Sequence, residues 1–242
     1  MIERATFHAG RYHLAQEQEM AVADRRERHE QTLKRFYAHS MDLVVEQGWQ
    51  HPLFSEAPNV LQMGTATAST TKTFVDFVHD INSKAHITVA DFSDYPLQQS
   101  QDEGLRCEPN VNFVRTDTTK LGFVDNTFDL IETDGLLQFL SPEQKTQAVA
   151  EWYRTLKPGG VVTTRDRFVS VNDAPKEWDT LNKIRKHFSQ RFGVYSYPTT
   201  TEVMRYKFNA QGFSTLIENT QVIDPRMLLI HDIVAQKPKI IK

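Results

Sequence analysis

Residues 111–162 read VNFVRTDTTKLGFVDNTFDLIETDGLLQFLSPEQKTQAVAEWYRTLKPGGVV, and this stretch decides the fold. Val111 to Thr116 is a short β-forming run that ends at Asp117. Phe128-Asp129-Leu130-Ile131-Glu132 is a second, beyond the turn around Leu121-Gly122-Phe123. Ser141-Pro142-Glu143-Gln144 then opens a helix. Serine accepts from a free backbone N–H, proline suits the first turn, and the acid meets the positive end of the helix dipole. The helix is expected to run to about Leu156, where Gly159-Gly160 turns it into a strand, Val161-Val162-Thr163-Thr164. Strands alternating with helices imply right-handed crossovers and a mainly parallel sheet.

The pattern extends in both directions. Upstream, Asn59 to Met63 reads as a strand ended by Gly64. Ser69 to Ile81 reads as a helix with Phe74, Phe77, Val78 and Ile81 on one side, and His86 to Ala90 as a strand ending at Asp91. Downstream, the spacing predicts an inserted helix over Pro175–Phe192 and another over Glu202–Gln211, capped by Gly212. Phe213 to Ile223 and Met227 to Ala235, joined at Asp224-Pro225, predict a tight antiparallel hairpin. Over Arg26–Glu46, Leu33, Phe36, Tyr37, Met41 and Val44 form one face of an amphipathic helix. Met1 to Asp24 is left open between a helix, an arm that packs on a second copy in a homodimer, and a lid. Residues 1–57 therefore read as a helical extension or lid, and 58–242 as an α/β domain with a helical insertion at about 172–198.

With 242 residues, 39% of them hydrophobic, the chain can bury one large core. Its formal net charge of -3 argues against nucleic-acid binding through bulk charge, and the short basic run Lys183 to His187 reads as a solvated helix face. One cysteine, Cys107, allows no intrachain disulfide and suits a reducing compartment. The first twenty residues lack the apolar core of a signal peptide, and no apolar run is long enough to cross a bilayer. The expectation is a soluble cytoplasmic protein with no nucleic-acid or membrane partner. The nine histidines show no metal-ligand spacing, so no metal is expected.

Taken together, the strand ending at Asp117, the Leu-x-Phe turn, Phe-Asp-Leu-Ile, the helix and Leu-Lys-Pro-Gly-Gly resemble the class I S-adenosylmethionine-dependent methyltransferases in order and spacing. Elements in the family's order run from about Pro58 to Lys237. The resemblance implies a Rossmann-like, doubly wound, mainly parallel sheet with a C-terminal antiparallel strand pair, S-adenosyl-L-methionine as cofactor, and a ligand crevice at the carboxyl ends of the strands.

The resemblance also implies site residues. The family's first turn is an acid followed by Gly-x-Gly-x-Gly. Here Gln62-Met63-Gly64-Thr65-Ala66-Thr67-Ala68 keeps only the first glycine. Gly64, Thr65 and Ala66 are expected around the methionine part of the cofactor, although a left-handed backbone at Ala66 or Ala68 would be disfavoured. The hydroxyls of Thr67, Ser69, Thr70 and Thr71 fit either a carboxylate site or plain helix capping. Asp91 corresponds to the ribose ligand, Phe92 to a flank of the adenine, and Asp117 with Thr118 to its polar edge. Thr133 and Asp134 end the fourth strand, where sulfonium and acceptor meet, and Asp134 is the candidate base. His39 and His187 are lesser candidates for that role.

For the acceptor, Tyr37 leads a set of aromatic candidates that includes Trp49, Tyr195 and Tyr197, whereas Trp152 reads as a helix-packing residue. Arg165 and Arg167 suit either an anionic acceptor, with Arg167 as the candidate, or a salt bridge. The expected activity is methyl transfer to oxygen or nitrogen of a small molecule. The departures at Gln62, Ala66 and Ala68 keep two alternatives open: an inactive methyltransferase-like binding or regulatory protein, and a relative that uses the cofactor for another reaction.

Overall fold

A computed structural model describes residues 13–16, 18, 23–170, 174–220 and 229–239. In chain order the elements are α1 (Ala23–Glu46), β1 (Asn59–Met63), α2 (Ala68–Ile81), β2 (His86–Asp91), α3 (Asp94–Asp102), β3 (Val111–Arg115), β4 (Phe128–Asp134), α4 (Pro142–Thr155), β5 (Leu156–Arg167), α5 (Ala174–Phe192), α6 (Thr201–Ala210), β6 (Ser214–Asn219) and β7 (Ile230–Gln236). The strands form one sheet in the order β3-β2-β1-β4-β5-β7-β6. The first five are parallel, and β7 runs antiparallel to both β5 and β6. The order reverses between β1 and β4, which opens a crevice at their carboxyl ends.

Alternation along the strands builds two core layers. Val60, Ile87, Leu130, Val161 and Val234 face α1, α2 and α3, where Leu33, Val44, Phe74 and Val78 are buried. Leu61, Ile131, Val162 and Ile233 face α4 and α6, where Val149, Trp152, Met204 and Phe208 are buried. The amphipathic face read in residues 26–46 is thus part of the main core: Leu33, Tyr37, Met41 and Val44 pack with strand residues. Ser141 and Gln144 cap α4 reciprocally, Ser141 Oγ accepting from Gln144 N and Gln144 Oε1 from Ser141 N.

Two expectations need correction. Lys157-Pro158-Gly159-Gly160 does not turn the chain into a strand, because β5 already begins at Leu156 and the pairing with β4 shifts register between Phe128 and Leu130. Gly160 is required there, since a Cβ would lie 2.9 Å from the Lys157 carbonyl and 3.0 Å from that of Phe128. The terminal strands do pair antiparallel, but the ladder stops at Asn219 and His231, so the connection is long rather than tight. Asp224-Pro225 lies outside the described residues, as does most of Met1 to Asp24, where residues 13–16 are helical. Among the described residues no helix is long and apolar enough to cross a membrane.

Candidate cofactor site

The turn after β1 is organised by one glycine and one carboxylate. Gly64 adopts φ +83°, and its N–H donates to Ala90 O across to β2 at 2.9 Å. A Cβ there would meet Leu136 at 3.3 Å. Next along the chain, Thr65 N donates to Asp91 Oδ2 at 2.8 Å, while Ser93 N donates to Asp91 Oδ1 at 2.8 Å. Asp91 is thereby held at the end of β2. Burial raises its proton affinity, opposed by the His13 charge and by the donors at Ser93 and Thr65.

The lost glycines cost this turn little. Neither Ala66 nor Ala68 has positive φ, and Ala68 is already the first residue of α2. The hydroxyls that follow are occupied by structure. Thr67 Oγ1 caps α2 by accepting from Thr70 N at 3.1 Å, Thr71 Oγ1 donates to Thr67 O, and Ser69 Oγ donates to Glu30 Oε1 on α1. Gln62, where the family has an acid, is buried, and its Oε1 has no hydrogen-bond partner among the described residues.

A cavity of about 780 Å³ lies over this turn. Its wall takes Gly64, Thr65 and Ala66 from the turn, Asp91 and Phe92 from β2, Asp117 and Thr118 after β3, and Asp134 from β4. Asp117 Oδ1 accepts from Thr119 N and Thr119 Oγ1 at 2.8 Å each, and Thr118 Oγ1 accepts from Trp152 Nε1 at 3.0 Å. The turn after β3 is therefore pinned to the buried Trp152 of α4.

Three predicted site residues stand apart from the wall. Tyr37 is buried beneath α1 against Phe74 and Phe77. Thr133 is fully buried in β4, one residue out of phase with Asp134. Arg167 donates from Nη1 to Gln138 Oε1 at 3.3 Å. Arg165 takes the salt-bridge reading: it is buried, with Nη2 3.3 Å from Asp134 Oδ2 and 3.8 Å from Glu132 Oε1, under the rings of Phe36 and Tyr37. His39 pairs with Glu218 at 3.1 Å, away from the cavity wall.

Tyr195 and Tyr197 do line the cavity, with Gly193, Val194, Phe139 and Leu140. This wall is stitched to α4. Lys145, almost fully buried, donates through Nζ to the carbonyls of Leu140 and Tyr197 at 2.6 and 2.8 Å, and burial lowers it to about 8. His13, absent from the sequence-derived set, also lines the cavity and donates from Nδ1 to Ala66 O at 3.0 Å. No motif marks it, because it arrives from a segment remote in sequence.

Comparison with known proteins agrees with this geometry. Residues 60–160 match the family described as methyltransferase domain. The chain is 26% identical over 178 residues to O-methyltransferase 3 of Dictyostelium discoideum, covering 67% of this chain and 38% of that protein. It is 35% identical over 88 residues to the ubiquinone/menaquinone biosynthesis C-methyltransferase UbiE of Shewanella piezotolerans, covering 35% of this chain and 34% of that one. The chain thus spans well under half the length of these two relatives. The solved YcgJ protein of Bacillus subtilis superimposes with a TM-score of 0.60 at 15% identity, over 84% of this chain and 99% of that one. The matched domain, the reversed strand order and the antiparallel terminal pair together give the chain the Rossmann-like fold of the methyltransferases, with residues 60–160 carrying the match to a methyltransferase domain.

Proposed function

We propose that the chain transfers a methyl group from S-adenosyl-L-methionine to oxygen or nitrogen of a small-molecule acceptor. The observation that carries this reading is Asp91. Its buried carboxylate is fixed by Thr65 N from the turn after β1 and Ser93 N from the turn after β2, and it faces a cavity that Asp134 also lines. A carboxylate so held retains lone pairs for a pair of ribose hydroxyls. The exposed edge of Asp117 suits an adenine amino group, whereas Gln62 is buried beneath α1 and does not line the cavity. The residues present therefore fit the cofactor.

When bound, the cofactor supplies a methyl carbon already activated for in-line displacement. The residues of this chain bind, align and exclude water. Phe92, Leu136 and Phe139 give the cavity apolar surface. Asp134, held by Arg165 at 3.3 Å, is the group placed to orient an acceptor hydroxyl or amine and to take its proton. Tyr195 and Tyr197 form the acceptor-side wall. The volume of about 780 Å³ lies in the range of sites that enclose a small-molecule ligand. We place the enzyme in the cytoplasm.

Calorimetric titration with S-adenosylmethionine and S-adenosylhomocysteine tests the reading, alongside Asp91→Ala. Micromolar binding that the variant loses supports it and leads to an acceptor screen. A folded protein that binds neither ligand at millimolar concentration overturns it.

A further inference from the structure

A row of polar side chains crosses the sheet beneath α1, at the end of the strands that hold the cofactor site. The register pairs Gln62 with Glu132, Asp134 with Arg165, Arg165 with Asp232, and Asp232 with Glu218. Alternation places all of them on the α1 face. Three carboxyls, those of Glu132, Asp134 and Asp232, gather around one guanidinium. Glu132 Oε1 and both oxygens of Asp232 are buried without a hydrogen-bond partner among the described residues.

The row is closed from solvent over its length by α1, whose Phe36 and Tyr37 rings lie 4.7 and 5.1 Å from the Arg165 guanidinium. It touches the outside at two places. At one end Asp134 forms part of the cavity wall. At the other, Glu218 Oε2 meets His39 Nε2 at 3.1 Å at the protein surface.

Three ionised carboxyls around one guanidinium, two of them, Glu132 and Asp232, almost fully buried, would carry excess negative charge, which low-dielectric surroundings disfavour. Burial accordingly pushes Glu132 up to about 8, with the Arg165 charge opposing and the charges of Asp134 and Asp232 adding to the rise. Burial likewise pushes Asp232 up to about 7, with Arg165 opposing and Asp134 and Glu218 adding. The other titratable groups facing the row come from α1: Tyr37, raised mainly by burial, His29, lowered mainly by burial, and His39 beside Glu218.

We propose that this row exchanges a proton for the positive charge of the cofactor, shedding one when a sulfonium enters beside Asp134 and taking up the one that the acceptor loses as the methyl group leaves. The inference rests on the methyltransferase reading given above. The balance is simple. The sulfur–methyl bond breaks with its electron pair remaining on sulfur, an acceptor lone pair forms the new bond to carbon, and the acceptor's O–H or N–H proton passes to Asp134 and the row. The site loses one positive charge at sulfur and gains one proton on a carboxylate, so its net charge is conserved through the reaction.

The test needs no acceptor. The affinities of the wild-type protein for S-adenosylmethionine and S-adenosylhomocysteine are measured by calorimetry across neutral pH. The two ligands share their titrating groups and differ in charge at sulfur, so their affinity ratio, corrected for each ligand's own ammonium titration, isolates the protein's response to the sulfonium. The ratio is expected to rise with pH, by up to about tenfold per pH unit, the limit for one released proton. Calorimetry in two buffers of different ionisation enthalpy should show proton release with the sulfonium ligand alone. Glu132→Gln and Asp232→Asn, which keep shape but cannot ionise, should flatten the ratio. A ratio independent of pH in the wild-type protein overturns the proposal, and so does a slope that survives in both variants. Failure of both ligands to bind is a different result: it overturns the methyltransferase reading and this inference with it.

Discussion

Thr65 and Asp91 meet across two parallel strands, the Thr65 amide donating to Asp91 Oδ2 at 2.8 Å inside the protein. One carboxylate therefore sets the shape of the turn and also faces the cavity. Asp91→Ala should weaken binding of S-adenosylhomocysteine by roughly ten- to a hundredfold, the range for losing charge-assisted hydrogen bonds of about 1.5–3 kcal/mol. Asp91→Asn should fall between the variant and the wild type in calorimetry. Wild-type affinity in Asp91→Ala would remove the residue from the site.

Ala66 and Ala68 stand where the family has glycine, yet their backbone needs none of glycine's freedom. Ala66→Gly should not tighten cofactor binding. It should lower stability by about 0.5–1 kcal/mol, because the unfolded chain gains conformational freedom. Gly64→Ala is the opposite case: φ +83° and the contact with Leu136 should make it destabilising by about 1 kcal/mol or more. Thermal melts check both: each variant should melt below the wild type, Gly64→Ala by more than Ala66→Gly.

Removing Arg165 leaves Glu132 and Asp134 facing each other without compensation. Arg165→Ala should destabilise the protein by about 3–5 kcal/mol at neutral pH. The loss should shrink in acid, where Glu132 and Asp232 are protonated. Urea unfolding at pH 5 and at pH 8 checks this, and an equal loss at both would mean that packing on Phe36 and Tyr37 is what matters.

The buried acids also shape the pH dependence of the wild-type protein. Unfolded, Glu132 and Asp232 titrate near pH 4. Folded, they titrate at about 8 and about 7. Between those limits the folded chain binds more protons than the unfolded one, so stability falls as pH rises, from full below about pH 4 to lost above about pH 8. Asp232→Asn should raise the Tm at pH 8 more than at pH 5. A larger gain at pH 5 would contradict the assignment.

His13 reaches the cavity from outside the sheet and holds the Ala66 carbonyl at 3.0 Å. His13→Ala should weaken S-adenosylhomocysteine binding severalfold, in line with a hydrogen bond of about 1 kcal/mol, and change the melting temperature little. A large fall in stability with unchanged affinity would make the contact purely structural.

Much of this was legible in sequence because it rests on local chemistry. Strands β1 to β4 end at residues that change character abruptly, such as Gly64, Asp91 and Asp117, and Ser141-Pro142 announces α4. Asp91, Asp117 and Asp134 stand at or just beyond strand ends, and the resemblance to the methyltransferases is what singles them out. What sequence does not show is which long-range partner a side chain finds. Tyr37 reads as a pocket aromatic, yet it packs under α1, because that face of the helix supplies core to β1 and β4. Arg165 and Arg167 share a strand face, but only the first meets Glu132 and Asp134. The acid row is invisible in one dimension, since its members come from five strands and align only through sheet register.

The bond between Lys145 and Tyr197 joins the strand-end crevice to the tyrosine wall of the cavity. Everything that fixes the strand-end crevice is built before β5 ends, while the tyrosine wall arrives later on a connecting segment and is fastened at a single buried amine and at Gln138 O, which accepts from Tyr197 N at 2.6 Å. The segment from Gly193 to Tyr197 is thus a natural cassette. On the proposed reading, in which this wall meets the acceptor, loops of different length and chemistry grafted there would change acceptor choice, provided each returns one carbonyl to Lys145.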